Sequence, residues 1–202
     1  MRTIWMRPRA TVRHLVDNDP EYGVLPLTLL SGSLLGVLEM LDRIPGNEPG
    51  LALLFFVIAL LGGAVRGVFV LYLGAWVLAK ASCLAGGSAP SVEVRAAVAW
   101  SNAPLAAGAA VFLVLWGGGL LLDLGNGFFD ALAVLLAALL VWSYVLLVYC
   151  LGAVQNFSPR KAALVVLGVG AGLTVLFWAA AMAGSAGLIA ALNNSFLGMA
   201  EP

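Results

Sequence analysis

Charge and metal-binding chemistry are what this chain has least of. Ten basic residues, ten acidic residues, one histidine and two cysteines are spread over 202 positions. His14, Cys83 and Cys150 give no ligand spacing for zinc. No glycine-rich phosphate loop, His-Glu-x-x-His pair or nucleophile elbow is present. Soluble-type catalysis therefore has no sequence support, and the chain reads as a non-enzyme with no metal, no cofactor and no nucleic-acid partner. No compact apolar core with a small-residue cleavage site follows the first residues, so no cleavable signal peptide is expected.

What fills the chain is apolar: 62% of residues are hydrophobic and the mean hydropathy is +1.04. Five long stretches, near 24–41, 51–79, 97–122, 128–153 and 161–192, carry most of it. A helix crossing about 30 Å of hydrocarbon needs about 20 apolar residues, and with no water there every backbone polar group must be paired within the segment. The expected fold is all-α and integral to the membrane, with five transmembrane helices forming one domain over residues 1–202.

The few charges orient it. Arg2, Arg7, Arg9 and Arg13 precede the first stretch, Lys80 and Arg95 follow the second, and Arg160 and Lys161 follow the fourth, together eight of the ten bases. The alternate loops hold Arg43 beside Asp42 and Glu48, then Asp123 and Asp130 with no base, and the end carries Glu201. Short cytoplasmic loops collect Lys and Arg, which places the N-terminus inside and the C-terminus outside. Both cysteines then lie near cytoplasmic span ends, where thiols stay reduced.

Residues 1–20 read as a cytoplasmic interfacial segment. A short helix is expected over 8–17 with Pro8 in its first turn, lying along the leaflet with Val12, Leu15 and Val16 opposite Arg9 and Arg13. Trp5 suits the interface, and Asn18-Asp19-Pro20 ends the helix. Ser158-Pro159 and Ser91 with Glu93 read as helix N-termini with serine caps. Gly117 to Gly119 and Gly125-Asn126-Gly127 are expected to loosen and end the third span. Small pairs at Gly63 and Gly67, Gly168 and Gly172, and Ala180 and Gly184 mark faces where helices approach closely.

Arg66 is the single base inside a span. At 1.5 Å per residue from Leu51 it lies roughly 22 Å down, about 8 Å from the inner edge of the core. Ser31, Ser33, Ser101 and Asn102 fall at a similar depth, with Ser143 and Tyr144 close by, whereas Glu39 and Asp42 lie near the outer end and match Arg66 poorly. Two readings stay open: a structural arginine capped by hydroxyls, carbonyls or lipid phosphate, or a headgroup or substrate site built from Arg66, Ser31, Ser101 and Asn102.

Four short motifs carry a resemblance: Ile4-Trp5-Met6-Arg7-Pro8-Arg9-Ala10-Thr11-Val12-Arg13, Gly86-Gly87, Ala99-Trp100-Ser101-Asn102-Ala103-Pro104, and Ser158-Pro159-Arg160-Lys161-Ala162. On them the chain resembles the bacterial branch of the Ypt-interacting protein (Yip) domain family along nearly its whole length. The resemblance implies five spans with the N-terminus inside, and residence in the bacterial inner (cytoplasmic) membrane. Eukaryotic relatives act in vesicle traffic and bind Rab-type GTPases through a cytosolic N-terminal extension. The basic opening of about 20 residues here, with no Asp-Leu-Tyr-Gly-Pro motif, departs from them. Pro104 frees a carbonyl near Trp100 and is expected to kink the third span.

Two functions follow. One is a non-enzymatic membrane organiser or trafficking-like adaptor. The other is a transporter or lipid-translocating protein with an inner-leaflet polar site around Arg66, although an odd number of spans divides badly into inverted repeats. The expected partners are membrane lipids, anionic phospholipid among them, and a second copy or another membrane protein.

Overall fold

The computed structural model describes residues 8–40, 49–122 and 125–198. Among these, every regular element is an α-helix: α1 (Pro8–Asn18), α2 (Val24–Met40), α3 (Pro49–Leu84), α4 (Ser91–Ser101), α5 (Ala103–Leu121), α6 (Asn126–Val154) and α7 (Pro159–Gly198). Trp5, Asp42, Arg43, Glu48, Asp123 and Glu201 lie outside the described residues, as do the side chains of Ala180 and Gly184. Four helical stretches, within α3, α4–α5, α6 and α7, are long and apolar enough to cross a bilayer; α2, at 17 residues, is shorter.

The chain divides into two compact units, Met1–Val165 and Val166–Pro202. The second is the distal part of α7, a helix continuing to Gly198. The first contains everything below.

Helix ends follow local chemistry. After α1, the Asn18 side chain donates back to the His14 carbonyl at 2.7 Å, and Asp19 Oδ1 accepts the Glu21 N–H at 3.0 Å, an Asx turn. Gly23, at φ +68°, then redirects the chain into α2. α3 runs past the expected 79 because Lys80 to Leu84 continue the helix, and Gly86 stops it. With Gly86 at φ +84°, its N–H reaches the Cys83 carbonyl at 2.9 Å and the Gly87 N–H reaches Ser82 at 2.8 Å, the paired bonds of a Schellman motif. α6 ends the same way, with Asn156 at φ 55° and the Phe157 N–H on the Gly152 carbonyl at 2.9 Å.

The expected third span, 97–122, is two helices. Pro104 cannot donate to the Trp100 carbonyl, and the Asn102 N–H turns back to Ala99 at 3.2 Å and to Trp100, so the helix breaks at Asn102. Ser91 is the first helical residue rather than the cap. Pro90, extended at ψ 158°, occupies that position, and its carbonyl accepts the Glu93 and Val94 N–H groups. Gly117 to Gly119 do not end a helix, and α5 continues to Leu121. Without water to take over backbone bonds, glycine is a weaker breaker in a span. Gly125 instead caps α6. Ser158 does cap α7, its Oγ 3.4 Å from the Lys161 nitrogen and its carbonyl accepting the Ala162 N–H at 3.0 Å.

α4 is the hub. Val94, Ala96, Ala97, Ala99 and Ser101 are buried, and these mostly small side chains let α1, α2, α3 and α6 all pack on one short helix. Around it the surface is apolar: Leu53, Leu61, Val65 and Phe69 of α3 are all well exposed. Such a surface suits hydrocarbon, where an outward leucine loses nothing.

α1 differs from expectation in its placement. Val12 is fully buried and Val16 nearly so, with α1 packed against α6 and α4. The apolar face assigned to the leaflet is covered by protein, because Arg9 and Arg13 hold the helix to the end of α6.

Candidate functional site: a polar cleft beside a glycine crossing

α2 and α3 cross at glycine. A Cβ on Gly32 would lie 2.5 Å from the Gly63 carbonyl oxygen and 3.0 Å from the Gly67 Cα, and one on Gly36 would lie 2.6 Å from the Gly63 Cα. Real Cβ atoms essentially never come this close, so the two backbones touch directly. Gly63 and Gly67, singled out by spacing, are half of this contact. Gly32 and Gly36 are the other half; their own x-x-x spacing opposite Gly63-x-x-x-Gly67 is the signal that would have revealed them.

Beside the crossing lies an open cleft of about 270 Å³ between α2, α3 and α4. Ser31, Arg66 and Asn102 line it together, with Thr28 and an apolar wall that includes Leu35, Val70 and Val98. Ser101 does not. It is buried, and its hydroxyl donates to the Val98 carbonyl at 2.7 Å. Ser143 and Tyr144 are not part of the lining either. The hydroxyls of Thr28 and Ser31 turn back onto their own helix, to Val24 at 2.7 Å and Thr28 at 3.2 Å. The Asn102 side-chain amide has no partner among the described residues.

Arg66 is paired, and its partner is Glu39, through Nη1 and Oε2. The depth ruler had set Glu39 aside, and the reason for the error is geometric. In the antiparallel α2–α3 pair Arg66 lies opposite residue 31, about 12 Å along the axis from Glu39. A helical side chain leans toward the N-terminus of its own helix, so in an antiparallel pair these two long chains lean toward each other. Cα depth alone misses that convergence. Both side chains remain about half exposed, at 48% and 57%.

A second polar cluster joins the helix ends at one end of the bundle. Arg13 Nη1 donates to the Ala153 carbonyl at 2.8 Å and to Asn156 Oδ1 at 3.3 Å, and Arg9 Nη2 donates to the Phe157 carbonyl at 3.0 Å. These carbonyls, at and just beyond the last turn of α6, have no intrahelical donor, and cations there also suit the helix dipole. Gln155 Oε1 accepts the Ala89 N–H at 3.0 Å, and Lys161 Nζ stands 4.4 Å from the Phe157 ring centroid. Arg95 pairs with Glu21 at 3.2 Å and lies over Tyr72. The Trp100 indole donates to the Tyr22 carbonyl at 3.2 Å, its ring close against Gly23. The motifs at Arg9 to Arg13, Gly86-Gly87, Trp100 to Pro104 and Ser158 to Ala162 all take part in this end of the molecule or in the break above it.

A Yip1 domain model matches residues 2–192. The chain belongs to the Yip1 domain family. No curated protein and no solved structure matches it. For this Yip1-domain membrane protein, the sequence motifs that carried the family resemblance map largely onto the end of the bundle where helix termini are tied together.

Proposed function

We propose that this Yip1-domain protein is a non-enzymatic membrane organiser or adaptor, with five spans, an inside N-terminus and an outside C-terminus, in a bacterial inner membrane. The observation that carries the reading is the tied end of the bundle. α1, the turn after α3, the start of α4 and the turn after α6 are linked by Arg9, Arg13, Gln155 and Arg95 into one platform. Arg9, Arg13, Lys80, Arg95, Arg160 and Lys161 all belong to that end, as a cytoplasmic face requires. Short loops that are hydrogen-bonded to helix ends make a fixed surface, which suits recruitment of a partner. No observation favours the transporter alternative: the cleft is open-sided.

Two experiments test this. In a background with Cys83 and Cys150 replaced by serine, Ser88→Cys should react with an impermeant maleimide only after permeabilisation and Asn47→Cys without it; the reverse pattern would invert the topology. Photo-crosslinkers placed at His14, Lys80 and Arg160 should trap one recurring protein in intact cells, and Arg13→Ala should lose it. Capture from outer-loop positions alone would refute the platform.

A further inference from the structure

We propose that the cleft between α2, α3 and α4 holds a zwitterionic phospholipid whose headgroup ends in a primary ammonium, with its phosphate on Arg66 and Asn102 in the cleft and its ammonium on Glu39, which lies outside the lining as the ion-pair partner of Arg66. This goes beyond the adaptor reading and does not depend on it.

The Arg66–Glu39 pair is incomplete in a specific way. Nη1 alone of the guanidinium engages Oε2 alone of the carboxylate, which leaves the Nη2 and Nε donors on one side and Oε1 on the other. Arginine presents five N–H groups in a planar fork suited to two phosphate oxygens, and an ionised carboxylate is purely an acceptor. Side by side and both half exposed, the two groups offer an anion site and a cation site at once. A phosphate joined by a short linker to an ammonium is the matching charge pattern. Asn102 adds a second, unpartnered amide in the same cleft, able to donate to a phosphate or ester oxygen. Leu35, Val70 and Val98 give the first carbons of an acyl chain an apolar wall, while the rest of the lipid stays in the bilayer.

Depth is compatible with this. α2 has 17 residues, about 26 Å, against a core of about 30 Å, and a short helix draws the headgroup plane toward itself by thinning the bilayer beside it. Left to hydrocarbon, a half-exposed ion pair would be unfavourable, and a lipid headgroup supplies the missing polar neighbours.

The charge pattern sets the preference. An anionic headgroup would bring its phosphate to Arg66 but offer no cationic donor to Oε1 of Glu39 and face it with like charge. A choline headgroup has a cation but no N–H to donate to Oε1. Phosphatidylethanolamine satisfies both groups.

The full chain would be reconstituted in nanodiscs of equal parts phosphatidylethanolamine, phosphatidylcholine and phosphatidylglycerol, and retained lipid counted by native mass spectrometry. Enrichment of phosphatidylethanolamine by about tenfold over either other lipid is expected, the size of one charge-assisted hydrogen bond. Glu39→Gln should move the preference to phosphatidylglycerol, Glu39→Asp should keep it, and Arg66→Gln should abolish retention. Asn102→Leu should weaken retention without changing the preference. Wild-type protein that holds the three lipids in bulk proportion, or prefers phosphatidylglycerol, would overturn the proposal, and so would variants with an unchanged lipid profile. Melting curves identify variants that fail to fold; if all do, the wild-type profile alone decides. Crosslinking from His14, Lys80 and Arg160 reads the adaptor function separately.

Discussion

The α2–α3 crossing and the α1–α6 junction join helices in opposite ways. At the crossing the contact is backbone on backbone, made possible by the absence of side chains at Gly32, Gly36, Gly63 and Gly67. At the junction the helices are joined by long side chains, with Arg9 and Arg13 reaching across to the carbonyls of Phe157 and Ala153. The difference follows from solvent. In hydrocarbon an exposed apolar residue has no reason to leave the lipid, so association rests on close packing and small residues. At the membrane edge the open carbonyls of a helix end must be met, and an arginine fork meets them with charge-assisted bonds. The crossing tolerates no added atom; the junction depends on the donors that reach the α6 carbonyls.

The largest effect should come from filling the crossing. A Cβ on Gly63 would sit 2.8 Å from the Gly36 Cα, whereas one on the neighbouring Gly62 would meet nothing within 4 Å. Gly63→Leu should therefore cost about 3 kcal/mol or more, as overpacking with no room to shift does. Gly62→Leu should be neutral or slightly stabilising, since leucine is the better helix former by about 1 kcal/mol. Thermal melting followed by circular dichroism would separate them. Equal melting temperatures would show that the crossing is not close-packed.

Next is the junction. Arg13→Ala orphans the Ala153 carbonyl and releases Asn156, so a loss of about 1–2 kcal/mol is expected, discounted because Arg13 is partly exposed. Arg9→Ala removes one bond and should cost about 1 kcal/mol. Arg13→Lys should recover only part of the loss, because Nη1 alone reaches both acceptors and an ammonium on an unbranched stem keeps the charge without reproducing that placement. Protease accessibility of α1 gives the readout. Full recovery by lysine would mean that charge at the end of α6, not hydrogen-bond geometry, holds α1.

A smaller change tests the hinge between the two regions. Gly23 sits at φ +68°, and a Cβ there would lie 3.1 Å from the Trp100 ring. Gly23→Ala should cost about 1–2 kcal/mol for left-handed backbone, and Trp100→Phe should relieve the contact but not the backbone term. The two substitutions would then be measurably non-additive in melting temperature.

The two regions were unequally legible in the sequence. Apolar run length located all the long helices, because backbone satisfaction in lipid leaves no alternative. The serine cap at Ser158 and the break at Pro104 were readable from local chemistry, since each acts within four residues. One half of the crossing was visible as Gly63 and Gly67. The other half was not, because a small pair becomes a contact only where a second helix presents another, and spacing within one helix does not name that second helix. The junction was invisible, since no spacing rule ties Arg9 and Arg13 to carbonyls some 140 residues on. In the cleft, three of four chosen residues came together; Ser101 faced its own helix, and Glu39 was missed because a depth ruler follows Cα atoms rather than leaning side chains.

The smallest net effect should come from erasing the Arg66–Glu39 pair entirely, and it asks whether the crossing needs any polar contact at all. Removing one partner is the costly change. Arg66→Leu leaves a carboxylate, and Glu39→Leu a guanidinium, facing lipid with no counter-charge, and each should lower stability by about 1–2 kcal/mol after allowance for side chains that are half exposed. Removing both replaces an ion pair with apolar surface in an apolar solvent, and such replacements are often neutral or stabilising. The double variant should therefore melt close to wild type and above both singles, with a coupling of about 1–2 kcal/mol in the mutant cycle. If glycine packing alone sets the α2–α3 contact, helix content and the Gly63→Leu penalty will be the same in the double variant as in wild type. A double variant that melts below both singles would show that the pair is part of the contact, and that this crossing shares with the α1–α6 junction a dependence on charge.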